Sequence, residues 1–176
     1  MIDISIFTVG SVTTADDKGL DADIMREYFR GIFRSMALFA EDIEEYGNVN
    51  MHILSREYGY VRGDEKVEMV ENQEDSVDLM QDALLQAATT SDVIVVAFMN
   101  EEYDQIVRPI RDEIFNNASN DQIWGFSAPK TVQRWLNPGE LEELGCDVIM
   151  YDKVGPALVS TDFKDKVKES VINKKI

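Results

Sequence analysis

The stretch Asp92-Val93-Ile94-Val95-Val96-Ala97-Phe98-Met99 is an unbroken apolar run after its first residue. A strand with one face in water alternates polar and apolar side chains. A strand with neither face in water has no reason to alternate. Residues 92–98 therefore predict a central strand of a parallel sheet, covered by helices on both faces.

The flanking sequence supplies the remaining layers. Residues 2–9, IDISIFTV, predict a first strand that ends at Gly10. Between Asp23 and Glu45, Ile24, Tyr28, Ile32, Met36, Ala40 and Ile43 recur at helical spacing, which predicts one long helix with a wide buried face. VNMHIL (49–54) predicts a second strand, and residues 55–65 a loop. Asp75 or Ser76 caps a helix whose Met80, Ala83, Leu84 and Ala87 point inward. After the 92–98 strand comes a helix carrying Ile106, Val107, Ile110 and Ile114; Pro109 must kink it or mark its start. QIWGF and CDVIMY predict two further strands. Asn137-Pro138-Gly139-Glu140 has the pattern of a helix start, and residues 162–172 form a lysine-rich terminal helix.

Strands and helices thus alternate through the whole chain. That order predicts a single Rossmann-like α/β domain over 1–176, a three-layer α/β/α fold with a mostly parallel sheet of about five strands. Ligands of such sheets sit beyond the carboxyl ends of the strands, near the switch in strand order. The candidate loops are then 10–20, 55–65, 99–103, 126–130 and 152–157.

Composition narrows the chemistry. The 176 residues and 20.0 kDa suit one core, and 44% hydrophobic residues is ordinary for a globular chain. No apolar run reaches the ~18 residues of a membrane span. The start MIDISIFTVG lacks the basic region of a signal peptide, and Cys146 is the only cysteine, so a reducing cytoplasm is the expected setting. One cysteine and one histidine, His52, argue against a zinc site. His52 lies inside a predicted strand and reads as a packed residue. The net charge of −17 disfavours nucleic acid as a partner, the more so because six of the nine lysines lie at 153–175 and none clusters earlier. A halophilic source and an ordinary acidic cytosolic protein both fit that charge.

No G-x-G-x-x-G, P-loop or G-x-S-x-G motif occurs, so no cofactor is implied by a motif. The loop chemistry is more local. Ser55 offers a hydroxyl at a strand end, Tyr58 a ring that can stack, and Gly59 a backbone that can turn or approach closely. Gly10 and Ser11 from the first strand, with Asn100 and Tyr103 from the third, project from the same edge. These seven residues are the candidate ligand-binding set. Asp64 and Glu65 are the candidate acid–base or nucleophilic groups, since carboxylates at a pocket rim are tuned by partial burial.

Several stretches together resemble one family. DADIMREYFRGIFRSM with Tyr28 and Phe33, ILSREYGYV, and EEYDQIVRPI with Tyr103 and Pro109 occur in the order found in the YaaA-like group of Rossmann-like proteins, whose strand-loop motif is LSAxYGLV. The first loop, TVGSVTTADDK, departs from the cysteine or serine followed by lysines usual there. The resemblance implies a connection with nucleotides, nucleobases or nucleic acid. The expectation is a small-molecule ligand of the nucleotide or nucleoside class at the strand ends, with action on an N-glycosidic bond as the candidate reaction. A non-enzymatic interaction module, a viral or defence accessory of a halophilic archaeal system, is the alternative; assembly into a homo-oligomer is left open.

The dispersed negative charge makes a direct prediction. Self-repulsion weakens as salt shrinks the Debye length from ~10 Å at 0.1 M to a few ångströms above 1 M. The melting temperature should rise between ~0.1 M and ~2 M potassium chloride, conditions at opposite ends of that range. A flat or falling melting temperature would count against charge repulsion as a limit on stability.

Overall fold

The computed structural model describes residues 1–175. A six-stranded sheet has the order β3-β2-β1-β4-β5-β6. Its strands are β1 (Ile2–Val9), β2 (Gly47–Ser55), β3 (Gly59–Arg62), β4 (Val93–Ala97), β5 (Ile123–Ala128) and β6 (Asp147–Asp152). All pairings are parallel except β2 with β3. β4 lies in the interior, hydrogen-bonded to β1 and β5, and all five of its residues are buried. The apolar run at 92–98 is therefore central, as its lack of alternation requires.

Two helical layers follow from side-chain alternation along the strands. Ile4 and Ile6 of β1, with Val93 and Val95 of β4, face α1 (Met25–Tyr28), α2 (Arg34–Ile43) and α8 (Thr161–Lys175). Phe7, Ile94 and Val96 face the opposite side. There they meet α3 (Ser76–Thr90), α5 (Arg111–Asn117), α6 (Lys130–Leu136) and α7 (Gly139–Leu144). The α1–α2 connection covers one face as the chain steps from β1 to β2. α3 covers the other as it steps back across to β4. Right-handed crossovers in opposite directions require that arrangement.

Three elements differ from the sequence reading. The expected helix over 23–45 is broken. Phe29 is extended, Gly31 adopts a left-handed φ of 63°, and a short 3-10 turn (Gly31–Phe33) leads into α2. Backbone hydrogen bonds leave the helix for the preceding loop: Arg30 N–H donates to Thr13 O (2.9 Å) and Ala15 N–H to Tyr28 O (2.7 Å). The helical stripe was misleading at Ile32, which is exposed, while Phe29 and Phe33 are buried.

Pro109 sits within a continuous helical stretch that starts at α4 (Asn100–Glu102). It is accommodated by a π-helical turn (Tyr103–Val107) followed by a tight 3-10 turn (Arg108–Ile110). A proline removes one helical donor and collides with the preceding turn, and this local change of register relieves both.

The third difference is β3. Residues 59–62 were read as loop, whereas they return antiparallel along β2 with Ser55 opposite Gly59 and His52 opposite Arg62. The sheet therefore has six strands instead of about five. Ser55 closes the turn with its hydroxyl. Its Oγ accepts from Tyr58 N–H (3.0 Å) and donates to Gly59 O (3.1 Å). Gly59 has φ 73°, and a Cβ there would lie 2.0 Å from Ser76 Oγ.

Gly59→Ala should therefore be costly on two counts. The left-handed backbone alone costs roughly 1–2 kcal/mol with a Cβ, and Ser76 must also move. Urea unfolding should show a loss larger than that of Gly19→Ala, where φ is 64° but no atom lies within 4 Å. Equal losses at the two positions would show that the Ser76 contact is unimportant.

Candidate functional site

The direction of strand addition reverses between β1 and β4, and their following segments diverge to opposite faces. A cavity of about 730 Å³ lies at that point, beyond the carboxyl ends of β1, β2 and β4. Val9 and Leu54 contribute apolar surface from the strand ends, joined by Met99. The β1 loop supplies Gly10 to Thr13, and the break before α2 supplies Gly31 and Ile32. The hairpin side carries Ser55, Arg56 and Gly59; the α4 side carries Glu101, Glu102 and Gln105. The wall is thus apolar near the sheet and polar toward the rim.

Each candidate from the sequence has a definite place. Gly10 and Ser11 line the cavity. Gly10 is also demanded by packing, because a Cβ would come within 2.9 Å of the Phe29 ring. Ser11 Oγ accepts from Phe33 N–H at 2.9 Å, satisfying the amide of the last residue of the 3-10 turn before α2. Ser55 and Gly59 also line the cavity, yet their polar groups build the β2–β3 turn.

The remaining candidates do not line it. Tyr58 is half-buried and leans its ring edge-on against Tyr28, with centroids 6.1 Å apart. Burial, reinforced by the Tyr28 hydroxyl, pushes its phenol up to about 12. Asn100 is exposed at the start of α4, and its neighbours Glu101 and Glu102 reach the cavity in its place. Tyr103 is fully buried. Its hydroxyl lies 3.0 Å from Val96 O and 2.7 Å from Ser127 O, so it ties β4 to β5 from within the core. The ligand-binding role expected of Tyr103 is therefore corrected to a structural one.

Asp64 and Glu65 are corrected for a different reason. At ~3.3 Å per residue, the four residues of β3 carry the chain roughly 13 Å back from the carboxyl edge. Gly63 N–H then bonds to Met51 O, in the middle of β2. Glu65 Oε1 accepts from Arg62 N–H at 2.8 Å, which closes a turn, and exposed Asp64 lies 3.7 Å from Arg62 Nε. Neither carboxylate reaches the cavity.

The carboxyl that does reach it in a perturbed state is Glu102. Burial raises it above the usual carboxylate range, while the Met99 N–H, 3.3 Å from its Oε1, acts in the opposite direction, as does the Arg56 charge. The sequence signal that could have found it is position. It is the third residue of the helix after the central strand, where a side chain turns back to the helix start and the strand end. Among the described residues, no three His, Cys, Asp or Glu side chains gather as a metal site requires. No described helix is long and apolar enough to cross a membrane.

No protein-family model and no curated protein matches this sequence. Among solved structures, a diflavin flavoprotein A3 from Nostoc sp. is 10% identical over 99% of this chain and 91% of that one, with a TM-score of 0.48. A flavodoxin-like domain from Synechococcus sp. is 12% identical over 97% of this chain and 95% of that one, with a TM-score of 0.39. Both likenesses are too distant to say anything about this chain's ligand.

Tyr103→Phe separates the structural role from a binding one. Loss of one buried hydrogen bond should lower unfolding free energy by about 1–2 kcal/mol. Affinity for any ligand of the cavity should stay unchanged in the same variant, measured by calorimetry. A selective loss of affinity with unchanged stability would return Tyr103 to the site.

Proposed function

We propose that the protein binds a nucleoside or nucleobase in the cavity between the ends of β1 and β4. The observation that carries this reading is the cavity's position and lining: an apolar base formed by Val9, Leu54 and Met99, with polar groups at the rim. A planar heterocycle suits the apolar part, and its ring nitrogens and sugar hydroxyls suit Ser11, Gln105 and the two glutamates. The same class of ligand is what the resemblance to the YaaA-like group implies, which keeps that family a proposal consistent with the site. A cytoplasmic setting belongs to the same proposal.

Charge selects within the class. Glu101 and Glu102 face one cation, Arg56, and among the described residues no lysine lines the cavity. A phosphate would meet net negative charge there, so the unphosphorylated ligand is preferred. If the site also acts on the N-glycosidic bond, the acid is Glu102. Its raised proton affinity lets it pass a proton to the departing base as water adds to the sugar's anomeric carbon, a role neither Asp64 nor Glu65 can fill from its position.

Thermal-shift titration with nucleosides, nucleobases, their 5′-phosphates and sugar phosphates tests the reading. A true ligand at a hundred times its Kd stabilises by about 2.7 kcal/mol. Nucleosides should raise the melting temperature more than their phosphates at equal concentration, and Glu102→Gln should weaken the effect. Chromatography of the same mixtures should show released base only if the bond is cleaved, and none with Glu102→Gln. No stabilisation by any nucleoside or base would overturn the proposal.

A further inference from the structure

His52 is the only histidine in the chain, and it is held with unusual definition. Its ring stacks on Phe7, with centroids 4.5 Å apart and planes 9° from parallel. The Tyr60 ring lies nearly parallel to it, 12° off, with centroids 5.9 Å apart. The Tyr60 hydroxyl lies 2.7 Å from His52 Nδ1. Burial raises the Tyr60 phenol and, assisted by the Arg62 charge, lowers the imidazole to about 4. At neutral pH the phenol keeps its proton and the ring is uncharged. With the hydroxyl as the donor to Nδ1, the ring's own proton sits on Nε2.

That ring lines a second cavity of about 340 Å³, against the face of β1, β2 and β3 beside α3. It is separate from the cavity at the carboxyl edge and shares none of its residues. At ~30 Å³ for each water-sized group, the space fits a molecule of about ten heavy atoms or fewer. Among the described residues, two formal charges of opposite sign line it. Arg62 comes from β3, its Nη2 3.2 Å from Asn50 Oδ1 and its Nε 3.7 Å from exposed Asp64. Asp3 comes from β1, two residues along from Ser5, the register partner of Asn50.

We propose that this cavity binds a small zwitterion of the amino-acid type, its carboxylate against Arg62 and the Nε2–H edge of His52, its ammonium against Asp3. An anion alone would meet Asp3, Asp64 and the field of a chain with net charge −17. A cation alone would meet Arg62. A molecule carrying both charges, neutral in sum, satisfies each end without either conflict. The Phe7 stack and the Tyr60 hydrogen bond fix where the Nε2 edge points, which lowers the ordering cost of binding.

The single histidine makes the test direct, because every imidazole signal in a nitrogen-15 spectrum belongs to His52. Glycine and alanine, titrated at constant ionic strength, should give a saturable shift at Nε2. Acetate and methylammonium, each carrying one of the two charges, should bind at least about tenfold more weakly, equivalent to 1.4 kcal/mol. Asp3→Asn, at an exposed side chain, should bring glycine down to the acetate level, and Arg62→Gln should remove the shift. Glu102→Gln, in the other cavity, should change nothing here, which separates this site from the nucleoside site. A failure to saturate with amino acids overturns the proposal. Equal binding of acetate and glycine, or an unchanged glycine affinity in Asp3→Asn, overturns it as well.

Discussion

The architecture depends on the burial of β1 and β4 side by side. Both strands run parallel, and every residue of β4 and the centre of β1 is withdrawn from water. Neither strand can tolerate a bare face, so helices must cover both sides. The chain achieves this by adding β2 on one flank and β5 and β6 on the other. The segments leaving β1 and β4 therefore turn toward opposite faces, and the gap between them is the cavity lined by the strand-end candidates. The site is a consequence of covering the core.

The β2–β3 hairpin then divides the polar residues of one short stretch between two places. Ser55 and Gly59 stay at the carboxyl edge as the cavity's rim. Tyr60 and Arg62 turn back over the sheet and join His52 in the second cavity. Asp64 and Glu65 are carried farther down and spend their oxygens on Arg62. A turn of only a few residues thus decides which side chains can meet. Ser76 makes the turn tight: its Oγ accepts from Tyr60 N–H (2.9 Å) and donates to Gln73 O (3.0 Å), occupying the space a Cβ on Gly59 would need.

Glu102 shows two opposed effects at one group. The positive end of a helix and the Met99 N–H favour the charged carboxylate, by typically 0.3–1 kcal/mol for the dipole at an exposed site. Withdrawal from water favours the protonated form, and it is the largest influence here. The net direction is upward because the residue sits against the cavity wall rather than on an open helix end. Three acceptors nearby on the same segment, Glu101, Asp104 and Gln105, remain exposed, and Glu101 and Asp104 show the ordinary pattern of surface pairing with Gln105 and Arg108.

What the sequence by itself determined is the set of properties written in local pattern. The unbroken run at 92–98, the alternation at 2–9 and the stripe in 76–90 specify strands, a helix and a doubly wound sheet, because periodicity reports directly on which faces meet water. The edge that holds the larger cavity follows from the same topology. Tertiary structure alone decided which side chains reach it. Tyr103 reads as a loop aromatic, but the π-helical turn sends it into the core to the carbonyls of Val96 and Ser127. Tyr28 and Phe29 read as one continuous helix with Phe33, but hydrogen bonds from a loop more than a dozen residues earlier break it. Residues 59–62 carry too few apolar positions to announce a strand, and only pairing with β2 makes them one. In each case the deciding partner lies far away in the chain, where no local period can register it.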